Sequence, residues 1–493
     1  MKKLFLLPLL GLVVFYSACG SSGSGTTPVG VGAGKFSNAS LKGQYVYRVA
    51  GVDLNNNGAP YRESGVFIAD GNGNITGGTD DFNELSVGFS SNSVTGTYSV
   101  ANDGTGTLTL TVAGSAIDLA MTLVSANEIY LMEADTFANG AGSAELQIAS
   151  AISAVPGGDF TFRMHTVNAT ESSSLVGAIA VSGSSITGSE DALRGTVFDN
   201  GTSSPLTLTG SLSSPDTTGR GTGTITDSSG VTTNFVYYIV DSNNVRFLES
   251  DSTTIAQGRA ERRSSSFSAG SLTGGYAFGS RADDSTNLGA VATVGRFSSN
   301  GSGSITAGEY DFVQDGNSSV AQAFTGSYTM ASNGRATVTL TTPGGTVQQI
   351  FWMVNSTRAY FVTNSSTKVE DGTLDQQTGS FSNSVLSGQY AFIMDGFSLS
   401  ASEFVDRVGW ISWSGSGSLN WNETVNDSGA AQQPGIITGS YAVSSNGRAT
   451  ASVNNLSITS NDIILYLISG SSGYMLQNDP GVEIIGAMSV QKQ

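Results

Sequence analysis

The chain holds one histidine, His165, and one cysteine, Cys19. That scarcity narrows the chemistry at once. Serine and cysteine hydrolases activate their nucleophile with an adjacent base, most often histidine. A structural zinc site takes four ligands, which one imidazole and no nearby thiol do not supply. His165 follows Phe160, Phe162 and Met164 and, by the two-residue period of a strand, faces away from them. It reads as an ordinary strand residue. Paired carboxylates could serve glycoside hydrolysis, and Asp80 with Asp81 is the candidate pair. Asp311 matches Asp81 later in the chain, but two other corresponding stretches keep no such pair in register. Both residues follow a hairpin, where Asp commonly serves the turn. Asp53, Asn55, Asn57 and Gly58 reproduce the first half of a calcium loop. Ser64 stands where the loop needs its bidentate acid, and Glu63 comes one residue early, so a polar hairpin tip is the simpler reading. Trp410, Trp413 and Trp421 crowd around another hairpin tip. Strand parity turns Trp413 and Trp421 inward and Trp410 outward. They make either a packed core or a pocket for stacking a sugar or an apolar ligand. No residue is assigned a catalytic role, and no cofactor is expected.

The elements that would position these residues are written in the composition. Of 493 residues only 12% are charged, while 39% are hydrophobic and 64 are glycine. Such a mix, rich also in Ser, Thr and Asn, favours strands and tight turns over helices. The net charge of −18 repels phosphate backbones, so no nucleic-acid partner is expected.

Lys2 and Lys3 precede the apolar stretch Leu4 to Tyr16, which is too short to span a bilayer as an ordinary helix. Ser17-Ala18-Cys19-Gly20 follows. These twenty residues resemble the signal and lipobox of bacterial lipoproteins, with Tyr16 standing where an aliphatic residue is usual. The resemblance implies lipidation of Cys19, membrane attachment through that lipid, and display at the outer membrane or cell surface. A plain signal peptide releasing a secreted or periplasmic protein is the alternative. Residues 20–35, rich in Gly and Ser, form a flexible tether.

The rest repeats. Leu41 to Tyr47, Pro156 to Phe162, Leu272 to Phe278 and Leu386 to Phe392 begin alike. Gly96-Thr-Tyr98, Gly210-Ser-Leu212, Gly326-Ser-Tyr328 and Gly439-Ser-Tyr441 mark the middles. Asp103-Gly104, Thr218-Gly219, Asn333-Gly334 and Asn446-Gly447 mark the turns that follow. One order kept four times signals tandem modules of about 115 residues. The boundaries fall at 1–19 for the signal, 20–35 for the tether, and 36–150, 151–265, 266–379 and 380–493 for the modules. The second module is the most divergent, with Leu212 replacing the tyrosine. Thr107-Leu-Thr-Leu-Thr-Val112 alternates cleanly, and Asp-Gly or Asn-Gly pairs between such runs signal hairpins.

The predicted class is all-β, with about eight antiparallel strands per module closed as a small up-and-down barrel; a β-sandwich is the alternative. In size and hairpin order this is similar to the lipocalin or avidin calyx in architecture, without a motif of either family. One strand per module (Leu119 to Val124, Phe235 to Val240, Ile350 to Val354, Ile463 to Ile468) is apolar on both faces and must be covered twice. Either it lies central in a sandwich, or a neighbouring module packs on it.

The functional expectation is a non-catalytic, lipid-anchored envelope protein, its modules strung as an extended rod for binding, adhesion or structure. A glycan-binding or glycan-active protein working through module 4 is the alternative. A single transmembrane barrel built from all the strands is a third reading, disfavoured by Thr, Ser and Asn at alternate strand positions.

Overall fold

The computed structural model describes residues 36–491 apart from 86, 196, 200, 202–203, 285–289, 315, 366, 400–401, 430, 454–461 and 480. Cys19 and the tether lie outside the described residues. No helix among the described residues is long and apolar enough to cross a membrane.

Each module is a closed eight-stranded antiparallel barrel, spanning 42–146, 158–262, 273–376 and 387–490. Every strand pairs with its neighbours in sequence, and the first pairs with the eighth: Tyr45 opposite Leu146, Phe160 opposite Arg262, Tyr276 opposite Gln376, Tyr390 opposite Val490. Closure leaves no free sheet edge. Barrels 2 and 4 add a two-residue strand, Val197–Phe198 and Ala431–Gln432, beside the third strand. The hairpins between the fourth and fifth strands turn on Gly104, Gly219, Gly334 and Gly447, all at positive φ. A single large barrel does not form.

Each barrel has its own apolar core. The doubly apolar strand is the sixth: Ser115–Ser125, Thr232–Asp241, Gly345–Asn355 and Asp462–Ser469. Its inward residues fill the barrel, as Leu119, Met121 and Leu123 do in barrel 1. Its outward residues fill the joint to another barrel. Val236, Tyr238 and Val240 of barrel 2 meet Val46 and Val66 of barrel 1. Ile350, Trp352 and Val354 of barrel 3 meet Val176 and Ala178 of barrel 2. Ile464 and Tyr466 of barrel 4 meet Ala277 and Val294 of barrel 3. Ala120 and Val124 of barrel 1 meet Ala391 and Val408 of barrel 4.

That last joint overturns the expectation of a rod. The first two strands of each barrel pack on the sixth to eighth strands of the next, and barrel 4 stands to barrel 1 as each barrel stands to its successor. A head-to-tail contact that repeats and returns to its start makes a closed ring.

Hydrogen bonds repeat around the ring as well. Just past the eighth strand, Gln147 donates to the Ile239 and Thr218 carbonyls of barrel 2 at 2.6 and 3.0 Å. Gln377 donates to Leu467 and Asn446 of barrel 4 at 2.8 and 3.2 Å. Gln491 does the same to Leu123 and Asp103 of barrel 1 at 2.8 and 3.2 Å. At the second joint Arg263 replaces the glutamine and donates to Asn333 at 2.8 Å.

Three joints also share a buried ionic lock. Asp81 accepts both arms of Arg220 at 2.6 and 2.9 Å, and a bond from the Tyr238 hydroxyl. Asp191 accepts Arg335 at 2.8 and 2.6 Å and the Trp352 indole N–H at 2.8 Å. Asp311 accepts Arg448 at 2.9 and 2.7 Å and Tyr466 at 2.6 Å. Strand register places Thr424, Thr105 and Thr122 at the corresponding positions of the 4–1 joint. All three ionic or aromatic partners are therefore replaced together there. Instead Trp410 donates to the Asp103 carboxylate at 2.9 Å. The register also corrects the sequence reading: module 2 does keep the carboxylate, as Asp191.

His165 belongs to the 2–3 joint. Its Nε2 lies 3.1 Å from Asp283 of barrel 3, and its Nδ1 lies 3.2 Å from Ser174 and 3.6 Å from Asp371. Burial alone would lower its pKa, but the two carboxylates override that and raise it to about 9. A folded-state pKa above the unfolded one stabilises fully below the unfolded value near 6.5, and the contribution is lost as pH rises through 9. The advantage of the native chain over His165→Asn is expected to be on the order of 1 kcal/mol at pH 6, after allowing for solvent around Asp283, and to vanish by pH 10. Urea unfolding at both pH values measures it; a pH-independent difference would remove the ionic role.

Candidate functional site: the interior of barrel 2

The side chains singled out in the sequence do not converge. Asp80 and Asp81 point to opposite faces of their strand, as neighbours in a strand must. Asp81 is held in the 1–2 joint. Asp80 lies inside barrel 1, where Tyr47 donates to it at 2.7 Å and Glu63 stands 3.3 Å from the same hydroxyl. Burial and the Asp80 carboxylate hold Glu63 well above the usual carboxylate range. Both are sealed in, so no substrate bond is flanked. Asp53 spends a carboxylate oxygen on the Asn55 amide at 2.8 Å, and Asn57 sits in the left-handed region at φ +56. This is a capped hairpin tip, and no group of three or more metal-binding side chains gathers among the described residues.

The three tryptophans are correctly assigned by parity but offer no ligand face. Trp413 and Trp421 are core residues of barrel 4. Trp413 packs edge-on against Tyr441, while Trp421 packs on Phe392 and donates to Glu423 at 2.9 Å. Trp410 is buried in the 4–1 joint. With all three at most 1% exposed, none can stack on a sugar.

What the sequence reading missed is a cavity inside barrel 2. It comprises about 840 Å³ of empty space, the open solvent at its mouth included. The next cavity, inside barrel 3, is about 260 Å³ and hemmed in by Phe278, Phe297, Phe324 and Phe351.

The local cause is visible residue by residue. Barrels 1, 3 and 4 each begin with a 3₁₀ turn, Asn38–Ser40, Ala269–Ser271 and Asn383–Val385. In each, a fourth-strand tyrosine latches the segment around that turn. Tyr98 donates to the Asn38 and Leu41 carbonyls at 3.0 and 2.7 Å. Tyr328 donates to Ala269 and Leu272, and Tyr441 to Asn383 and Leu386. In barrel 2 that tyrosine is Leu212, and among the described residues no 3₁₀ turn precedes the first strand, Gly158–Asn168. Gly223 faces Leu212, where Leu108 and Val338 face the tyrosines of barrels 1 and 3. A missing ring and a missing latch leave the interior hollow.

The cavity runs from Pro156 to Arg194, Asp227 and Val231, between walls that include Phe160, Phe162, Leu175, Phe235 and Phe247. The charged groups collect at one end. Arg194 donates to Asp227 at 2.7 Å, lies 3.6 Å from Glu190, and also pairs with Asp199. Burial raises the Glu190 pKa to about 8, with Asp227 and Asp191 adding to the rise against the opposing Arg194 charge. At neutral pH Glu190 is therefore mostly a protonated acid that can donate a hydrogen bond. Burial pushes Asp227 upward, but its bonds from Ser229 and Arg194 prevail and hold it low. An apolar tube with a neutral acid and an arginine–carboxylate pair at one end can hold an apolar molecule by an oxygen-bearing head. The cavity walls offer neither a thiol nor an imidazole. Compared with known proteins, the chain matches no family model and no curated protein.

Proposed function

We propose that this protein is a lipid-anchored envelope protein that binds a small apolar ligand in barrel 2 without transforming it. The hollow interior of that barrel, larger than the void inside barrel 3, is the observation that supports the reading. The ligand is an extended apolar molecule ending in a carbonyl or hydroxyl, whose oxygen meets Glu190 and Arg194. Cys19, through its lipid, keeps the ring at the membrane, and the other barrels act as its frame. With the tryptophans of barrel 4 buried, nothing particular favours a glycan ligand.

Leu212→Tyr tests this, because the side chain used in the other barrels would occupy the void. A neutral fluorescent probe such as N-phenyl-1-naphthylamine is expected to bind saturably to the native protein, and at least tenfold more weakly to Leu212→Tyr. Absence of saturable binding, or equal binding by both proteins, rules the reading out.

A further inference from the structure

The ring axis carries a feature that neither the fold nor the cavity uses. On the outer face of barrel 2, Arg163, Arg259 and Arg246 stand directly opposite one another on three adjacent strands. Like charges in directly opposed strand positions are destabilising. The equivalent rows elsewhere are Arg48, Ser143 and Tyr130 in barrel 1; Gly279, Thr373 and Tyr360 in barrel 3; and Ile393, Ala487 and Tyr474 in barrel 4. The fold therefore needs no arginine at these places. A chain with only 21 lysines and arginines in total gathers four of them here.

Their hydrogen bonds leave some donors thinly served, with the Glu128 carboxylate of barrel 1 also lying within electrostatic reach of Arg259, Arg246 and Arg358. Arg246 is satisfied by Glu145 of barrel 1, with both bonds at 2.7 Å. Arg358 of barrel 3 takes Asp375 at 2.7 Å and Glu261 at 3.3 Å. The remaining three are thinly served. Arg48 donates to Ser143 Oγ at 3.4 Å, and among the described residues no carboxylate is paired with it at ion-pair distance. Arg163 has Asp371 at 3.5 Å and the face of Tyr360 at 5.8 Å. Arg259 has Glu261 at 3.5 Å, and its Nε is buried without an acceptor. Burial and the charges of Arg259 and Arg246 disfavour the cationic form of Arg48, against a smaller opposing pull from Glu145. Arg163 and Arg259 keep 27% and 20% of their side-chain surface exposed, so a small ion can reach them.

We propose that the ring axis binds an oxyanion, a phosphate or sulfate group, between Arg48 of barrel 1 and Arg163 and Arg259 of barrel 2. Guanidinium groups present planar forks of N–H donors that suit such oxygens. An anion there neutralises the repulsion and fastens barrel 1 to barrel 2. The site is independent of the apolar cavity.

Thermal unfolding and calorimetry on the full-length chain test it. At ionic strength matched with sodium chloride, millimolar inorganic phosphate or sulfate is expected to raise Tm by a few degrees and to give saturable heat. Glycerol 3-phosphate tells a free ion from a phosphomonoester: comparable binding means that the site accepts an esterified phosphate, and weaker binding means that it prefers the free ion. Arg48→Met and Arg259→Met should each remove the rise, while Lys42→Gln, on the exposed start of the first strand, should keep it. Without anion, Arg48→Met should be at least as stable as the native chain. No saturable heat for the native protein, or a Tm rise that persists in both methionine variants, overturns the proposal.

Discussion

Replacing Asp191 with alanine is expected to cost about 3–5 kcal/mol of stability, the usual penalty for breaking a buried ion pair from one side. The reasoning starts from what is left behind. Arg335 is 9% exposed and Trp352 is fully buried, and both direct their donors at Asp191. Without it a guanidinium and an indole N–H lose this shared acceptor in the 2–3 joint, among Ile350, Val354 and Val176. Adding Arg335→Met should recover part of the loss, because the buried charge that faced Asp191 goes with it. Urea unfolding of the native chain, Asp191→Ala and the double variant measures all three. A double variant less stable than the single one would mean that the lock is not a unit. Asp81 and Asp311 should behave alike, since their locks are built from the same positions.

Trp410→Ala carries the second large effect, at the one joint that no described linker spans. Truncating a buried tryptophan costs about 3–5 kcal/mol. Here the loss falls on the contact between barrels 4 and 1, because the Trp410 side chain turns away from its own core and bonds Asp103. Among the described residues no ionic lock supports this joint. Small-angle scattering should therefore show a larger radius of gyration, from a population in which the ring has opened while each barrel stays folded. Trp421→Ala gives the contrast. It lies within the barrel 4 core and should unfold that barrel, leaving Arg407 and Glu423 without their packing. If both variants lose stability with no change in scattering, Trp410 does not hold the ring shut.

Much of the fold was legible because a strand's two-residue period writes itself into side-chain types. Leu108, Leu110 and Val112 alternate with Thr107, Thr109 and Thr111, and glycine at the turns sets the hairpins. Closure into barrels followed from consecutive hairpins with no long crossover. The parity of Trp410 against Trp413 was right for the same reason. The sixth strand betrayed a second covering, and the structure supplies it in the form of a neighbouring barrel. Ring closure was harder to read, since it depends on surfaces far apart in sequence. A signal was nevertheless present. Arginine follows the turn glycine in modules 2, 3 and 4 but not 1, and aspartate holds one third-strand position in modules 1, 2 and 3 (Asp81, Asp191, Asp311) where module 4 has Thr424. Complementary absences at the two ends are what a chain of locks with one unlocked joint leaves behind. The aspartates were attributed to turns, and only the strand register, with Asp191 opposite Val176, places the module 2 carboxylate at the same position. The cavity likewise had its sign in Leu212, but a single substitution does not say whether the space it leaves is refilled.

Four separate copies of one barrel could form this ring as a homotetramer, with one heterologous contact used four times. Such an assembly would have to be hollow in every subunit or in none, and any arginine row would appear fourfold around the centre. Fusing the subunits into one polypeptide lifts that constraint. One barrel can specialise for a ligand and carry the loss of packing, while its three more closely packed siblings hold it in place.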